Sequence, residues 1–259
     1  MSTHVVPGFA AVLRLQIHLL WKSRAALFIL LMLPGALLAT AAAAAYWMPG
    51  AFTGREFELI AMLPFVILMG GAWGILVWRD EPPSKRGYHR SLPVDVAAHH
   101  LARVAAGAVW LLPALLLYFA AGIFVTALRG DAGAVTAAGP TLWLGYLLAA
   151  LILYGMTAAL ATAVEKPLSW IVWGYVALAA LATLVAMAGT PDTFRLWAGR
   201  LINRPYGLGW AVGGGLEIAR ARVTAQAPPA GAWFPVALGW LFVSTLLVFA
   251  AAHWRRVRT

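Results

Sequence analysis

Six stretches of this chain stay apolar for about as long as a bilayer is thick: residues 25–47, 59–78, 101–128, 141–164, 168–188 and 233–253. A hydrocarbon core needs roughly 20 residues per spanning helix. Backbone groups that face lipid must be satisfied internally, which leaves helices or closed barrels. The runs lack the period-two alternation of barrel strands. The expected fold is therefore all-α, a polytopic membrane protein with six transmembrane helices in one domain spanning residues 1–259. Only 11% of the residues are charged, against about a quarter in an ordinary globular domain. Lys22, Arg24 and the alanine tract at 41–45 imitate a signal peptide. Leader and apolar stretch are both too long for one, and the run is read as a retained span.

The chain holds 19 Lys and Arg against 9 Asp and Glu, a formal net charge of +10. In a soluble chain that excess would suggest nucleic acid. Here its position explains it, and no nucleic-acid partner is expected. Arg14, Lys22 and Arg24 precede the first span, Arg79, Lys85, Arg86 and Arg90 follow the second, Lys166 follows the fourth, and Arg255, Arg256 and Arg258 follow the last. The positive-inside rule puts these ends and both termini in the cytoplasm of a cell membrane, inner or plasma. The connection at 189–231 opposes the pattern with Arg195, Arg200, Arg204, Arg220 and Arg222; long connections obey the rule less strictly. The absence of cysteine excludes disulfides, thiolate metal sites and Fe–S clusters.

Ahead of the first span, Phe9, Val12, Leu13, Ile17 and Leu20 recur at helical spacing, with Arg14, His18 and Lys22 on another face. This predicts an amphipathic helix within residues 1–24 lying on the cytoplasmic interface. Gly70 with Gly74, and Gly145 with Ala149, form small-xxx-small faces suited to close packing, expected chiefly within the same bundle. In the 189–231 connection, Thr190, Pro191 and Asp192 can start a helix. Its apolar face, Phe194, Trp197 and Leu201, makes these three residues candidates for an outer gate. Gly213 to Gly215 read as a hinge before a second short outer helix over 216–223.

Little in the chain suggests catalysis. Its lysines, Lys22, Lys85 and Lys166, follow Trp21, Ser84 and Glu165, so the Gly-Lys-Ser/Thr of a phosphate-binding loop is missing. Neighbouring His99 and His100 point about 100° apart on a helix and cannot both grip one ion without partners from elsewhere, and His89 could be one only through a particular loop fold. With Arg103 they start the third span, where polar side chains can reach lipid headgroups. No HExxH or GxSxG pattern occurs. The chain is not expected to be an enzyme or to bind metal or cofactor itself.

The most polar segment, RDEPPSKRGYHRSLPVD at 79–95, lies between the second and third spans. A plain linker would be shorter and more uniform. This one mixes both charges with Tyr88 and an apolar knot at Leu92, Pro93 and Val94, a composition suited to insertion into a cleft of a soluble partner. Anchoring to the membrane surface is the alternative reading of the same residues.

Glu81, the run Arg86 to Arg90, and SLPVD at 91–95 leading into a long third span together resemble the permease subunits of type-2 ABC exporters. In that family an acidic residue after the second helix precedes a Ser/Leu-Pro-Val element in a coupling helix that docks on the ATPase subunit. The family's motif commonly continues Pro-Val-Ser and basic residues; here Asp95, Val96, Ala97 and Ala98 follow. The resemblance implies a coupling loop at 79–96 contacting the ATPase through Glu81, Arg86, Tyr88, His89, Arg90, Ser91, Leu92, Pro93 and Val94. It also implies a separate cytoplasmic ABC ATPase subunit that binds ATP and Mg, and a second copy of the chain or a related permease. The expected function is export of a hydrophobic or amphipathic substrate. A non-transporting membrane anchor that recruits soluble partners is the alternative.

Overall fold

The computed structural model describes residues 8–23, 35, 55–78, 95–128, 132–187, 206–229 and 231–258. All regular structure among them is helical. The helices described are, in order, α1 Phe9–Lys22, α2 Arg55–Leu76, α3 Val96–Leu128, α4 Ala132–Ala163, α5 Pro167–Met187, α6 Leu208–Val223 and α7 Trp233–Arg258. Among the described residues, four stretches are long and apolar enough to cross a membrane: Val96–Phe124, Thr136–Ala163, Pro167–Val185 and Trp233–Val257. Val66–Leu76 in α2 is a shorter apolar helix. The expected first span lies outside the described residues apart from Gly35.

α4 is the hub, packed against α2, α6 and α7. Small residues make this possible because they let helix backbones approach. A Cβ at Gly70 of α2 would stand 2.5 Å from Ala150 O, and one at Gly74 would strike the Thr157 hydroxyl and lie 2.7 Å from Tyr154 O. Gly145 meets Gly215 of α6, and Gly155 meets Ser244 of α7. The expected small-residue faces thus pack within the chain. Around them Val66, Trp73, Leu111, Leu115, Tyr146 and Tyr154 form the main core. Ile152, Trp210, Trp233 and Ala237 form a second.

Contacts fix the relative directions. Trp73 Nε1 donates to Gly107 O at 2.8 Å, and Arg103 Nε donates to Val77 O at 3.0 Å, so α3 runs antiparallel to α2. α7 runs alongside α4, with Arg255 Nε on Thr162 O at 2.8 Å where both helices end. The turn at 164–166 then leads into α5, which makes few contacts with α4 and is largely exposed.

The glycine triplet departs from expectation. Gly213, Gly214 and Gly215 lie inside one continuous helix, α6, instead of forming a hinge before a helix at 216–223. Nor is α6 an outer surface helix, for Trp210, Ala211, Val212, Gly214, Gly215 and Leu216 are buried. Trp240 Nε1, two turns into α7, donates to Tyr206 O at 2.9 Å, while Arg222 Nη1 donates to Thr141 Oγ1 at 3.0 Å. α6 therefore enters the bundle beside the second turn of α7 and returns antiparallel to α4 and α7. The physical reason is contact: a Cβ at Gly215 would lie 2.9 Å from Gly145 Cα and 2.8 Å from the Trp233 ring. Helix propensity disfavours glycine by only about 1 kcal/mol per residue, which tertiary packing overrides.

Candidate functional site

The residues expected to contact an ATPase, Glu81, Arg86, Tyr88, His89, Arg90, Ser91, Leu92, Pro93 and Val94, lie outside the described residues. So do the gate candidates Phe194, Trp197 and Leu201. The two roots of the polar segment are described, however, at Trp78 and Asp95. Both are tied into the bundle.

The first root ends α2, whose last carbonyls have no partner within the helix. Arg103 supplies one through Nε on Val77 O at 3.0 Å. Its Nη1 donates to Gln16 Oε1 at 2.8 Å, and the Gln16 amide donates to His99 Nδ1 over 3.4 Å. Gln16 is buried at the centre of the face of α1 formed by Val12, Gln16 and Leu20. One guanidinium thus joins the end of α2, the middle of α1 and its own helix α3. Its planar fork of donors serves two acceptors in different directions, which a lysine ammonium on a flexible stem holds less rigidly.

The second root is Asp95, which begins α3. Asp95 Oδ2 accepts from Ala98 N at 3.4 Å as an N-terminal cap. Arg256 of α7 pairs with Asp95 Oδ1 at 3.4 Å; both side chains are exposed, so the pair adds little stability. The Asp95 carboxylate thus has a local structural role at the start of α3. The neighbouring Arg255 bonds Thr162 O, a C-terminal carbonyl of α4. Val77, Asp95, Thr162 and Arg255 therefore share one end of the bundle, the end where the sequence gathers its positive charge.

His99, His100 and Arg103 are corrected by the structure. They were expected to reach outward to headgroups, yet all three are buried, Arg103 to 3% exposure. The cause is α1, which covers the first turns of α3: Trp110 Nε1 donates to Ile17 O at 3.2 Å, and Trp21 stacks on Trp110 at 5.1 Å. Trp78 lies 5.2 Å from the His100 ring. α1 is amphipathic as expected, with Arg14, His18 and Lys22 exposed, although Phe9 is exposed instead of packed. Deeper in the bundle Tyr154 Oη donates to Val104 O at 2.6 Å, linking α4 to the same stretch of α3.

The sequence analysis missed Gln16 and the joining role of Arg103. A polar residue between Val12 and Leu20 at four-residue spacing, and His99 and Arg103 one turn apart, were the available signals. Against protein-family models, curated proteins and solved structures, nothing matches this chain.

Proposed function

We propose that this chain is the transmembrane subunit of an ATP-driven exporter of the type-2 ABC kind, working with a separate cytoplasmic ATPase and a second permease copy or relative. The observation that carries the reading is the junction at Arg103. The polar segment resembles a coupling element, and its first root is bonded through one buried guanidinium to α1 and α3. A push on residues 79–94 would reach those helices through hydrogen bonds already in place.

Nucleotide must favour one packing of the permease over another, since equal affinity for both states shifts nothing. ATP and Mg belong to the partner; this chain supplies the docking segment, the junction and the apolar helices. Four long apolar helices suit a hydrophobic or amphipathic cargo.

Co-purification with a candidate ATPase, followed by hydrolysis assays with and without this chain, tests the proposal. Stable association and chain-dependent hydrolysis are expected. Truncating an apolar anchor in a desolvated contact costs about 2 kcal/mol or more, so Leu92→Ala with Val94→Ala should weaken the complex at least tenfold. Glu81→Ala should leave it assembled but uncoupled, with hydrolysis no longer raised by substrate. If no variant alters assembly, hydrolysis or export, the chain is a membrane anchor instead.

A further inference from the structure

At the end of the bundle where α4 and α7 begin, a cavity of about 460 Å³, largely open to the surface, lies between α4, α6 and α7. Its walls are apolar: Leu144, Ile218, Trp233 and Phe234, with Pro140 and Pro235. Arg222 and Thr141 also line it. This is the opposite end from the Arg103 junction, and the arginine is one of those that broke the expected charge pattern.

A break in α4 borders the cavity. Gly139 takes φ +63 and ψ −170 inside the helix, a conformation glycine adopts readily, and Pro140 next to it has no N–H to continue the ladder. A Cβ at Gly139 would lie 3.5 Å from Arg222 Nη1, an ordinary contact, so the positive φ and not crowding is what calls for glycine here. Beside the break, Arg222 Nη1 donates to Thr141 Oγ1 at 3.0 Å. A guanidinium has five N–H donors. With one used on Thr141, others remain, and the Thr141 hydroxyl, being an acceptor from arginine, can donate its own hydrogen. Among the described residues no carboxylate pairs with Arg222.

The geometry points to a binding site for an anionic phospholipid, with its phosphate on Arg222 and Thr141 and an acyl chain against the apolar walls. Charge complementarity selects the headgroup, since guanidinium binds phosphate through paired donors. The surroundings select a lipid over a free anion. Phe234 at the rim is exposed and continues along α7 into exposed Leu238 and Phe242 at four-residue spacing. A chain leaving the cavity meets an apolar stripe on a helix long enough to span a bilayer. The claim goes beyond the exporter reading and holds whether or not an ATPase partner exists.

The test uses the full chain purified in a neutral detergent, with native mass spectrometry reading bound phosphatidylglycerol and phosphatidylcholine of identical acyl chains. Both lipids offer the phosphate, but phosphatidylcholine adds a trimethylammonium charge that opposes Arg222, so phosphatidylglycerol should bind about fivefold tighter, the scale of one exposed charge pair. Arg222→Gln should abolish the preference. Arg220→Gln removes the same charge two residues away, on another side of α6, and should leave it intact. Leu144→Trp, which narrows the cavity and keeps the charge, should weaken binding of phosphatidylglycerol. Gel filtration and thermal unfolding identify any variant that fails to fold, in which case Arg222→Lys, with weakened but retained preference expected, takes its place. Equal binding of the two lipids, equal effects of the two arginine substitutions, or complete displacement by millimolar inorganic phosphate overturns the proposal.

Discussion

A buried arginine in an apolar helix is expensive unless its donors are used, and at Arg103 the acceptors come from two other helices. Val77 O lies at 3.0 Å and Gln16 Oε1 at 2.8 Å. Leaving a buried acceptor without its donor costs about 1–3 kcal/mol, so Arg103→Met is expected to destabilise the chain by about 2 kcal/mol or more in unfolding measured in detergent micelles. Arg103→Lys keeps the charge but not the fork and should fall between. Because Gln16 and Arg103 share a bond, the double variant Gln16→Leu with Arg103→Met should be milder than the two single losses added, by about 1 kcal/mol. Strict additivity would mean the two side chains do not interact. The residue types at this junction were readable, and His99, His100 and Arg103 were noticed as polar residues opening a span. Their burial was not readable, because it depends on α1 lying over them, and α1 is separated from Arg103 by most of a hundred residues of chain.

At the scale of the element, α6 is the informative case. Three consecutive glycines locally favour a break, and the sequence reading placed one there. In the bundle the three positions are not alike. Nothing lies within 4 Å of where a Cβ at Gly213 would stand, whereas one at Gly214 would be 2.6 Å from Trp233 and one at Gly215 2.9 Å from Gly145 Cα. Gly213→Ala is therefore expected to stabilise the protein slightly, by up to about 1 kcal/mol from helix propensity. Gly215→Ala should destabilise it by about 1–3 kcal/mol through overpacking. Thermal unfolding of the two variants separates a helix from a hinge, since a true hinge would be stiffened and strained at both positions. The other helices were easier to read from their apolar runs. α3, with 33 residues, is about 50 Å long at 1.5 Å per residue, well beyond a hydrocarbon core of about 30 Å. That excess leaves room for His99, His100 and Arg103 in its first turns, while the rest of the helix carries no charged residue.

For the whole molecule, the contacts gather Val77, Asp95, Thr162 and Arg255 at one end and Thr141, Arg222 and Trp233 at the other. If the positive-rich end is cytoplasmic, a single cysteine at Lys166 should be protected from an impermeant thiol reagent in intact cells, and one at Gln226 should react. The chain has no cysteine of its own, so the background is clean. The opposite labelling pattern would reverse the orientation; equal labelling would place both positions on one side. By itself the sequence determined the class: long apolar runs in lipid admit helices, and their lengths, charged flanks and the amphipathic start of the chain are local properties. It also made the small-residue faces of α2 and α4 legible, because glycine at helical spacing has few other uses there. Only the tertiary structure decided which glycine meets which backbone, that α6 folds back into the bundle, and that Gln16 meets Arg103. Such pairings bring distant segments together, and a glycine or arginine has the same local preferences whether it faces lipid, water or another helix.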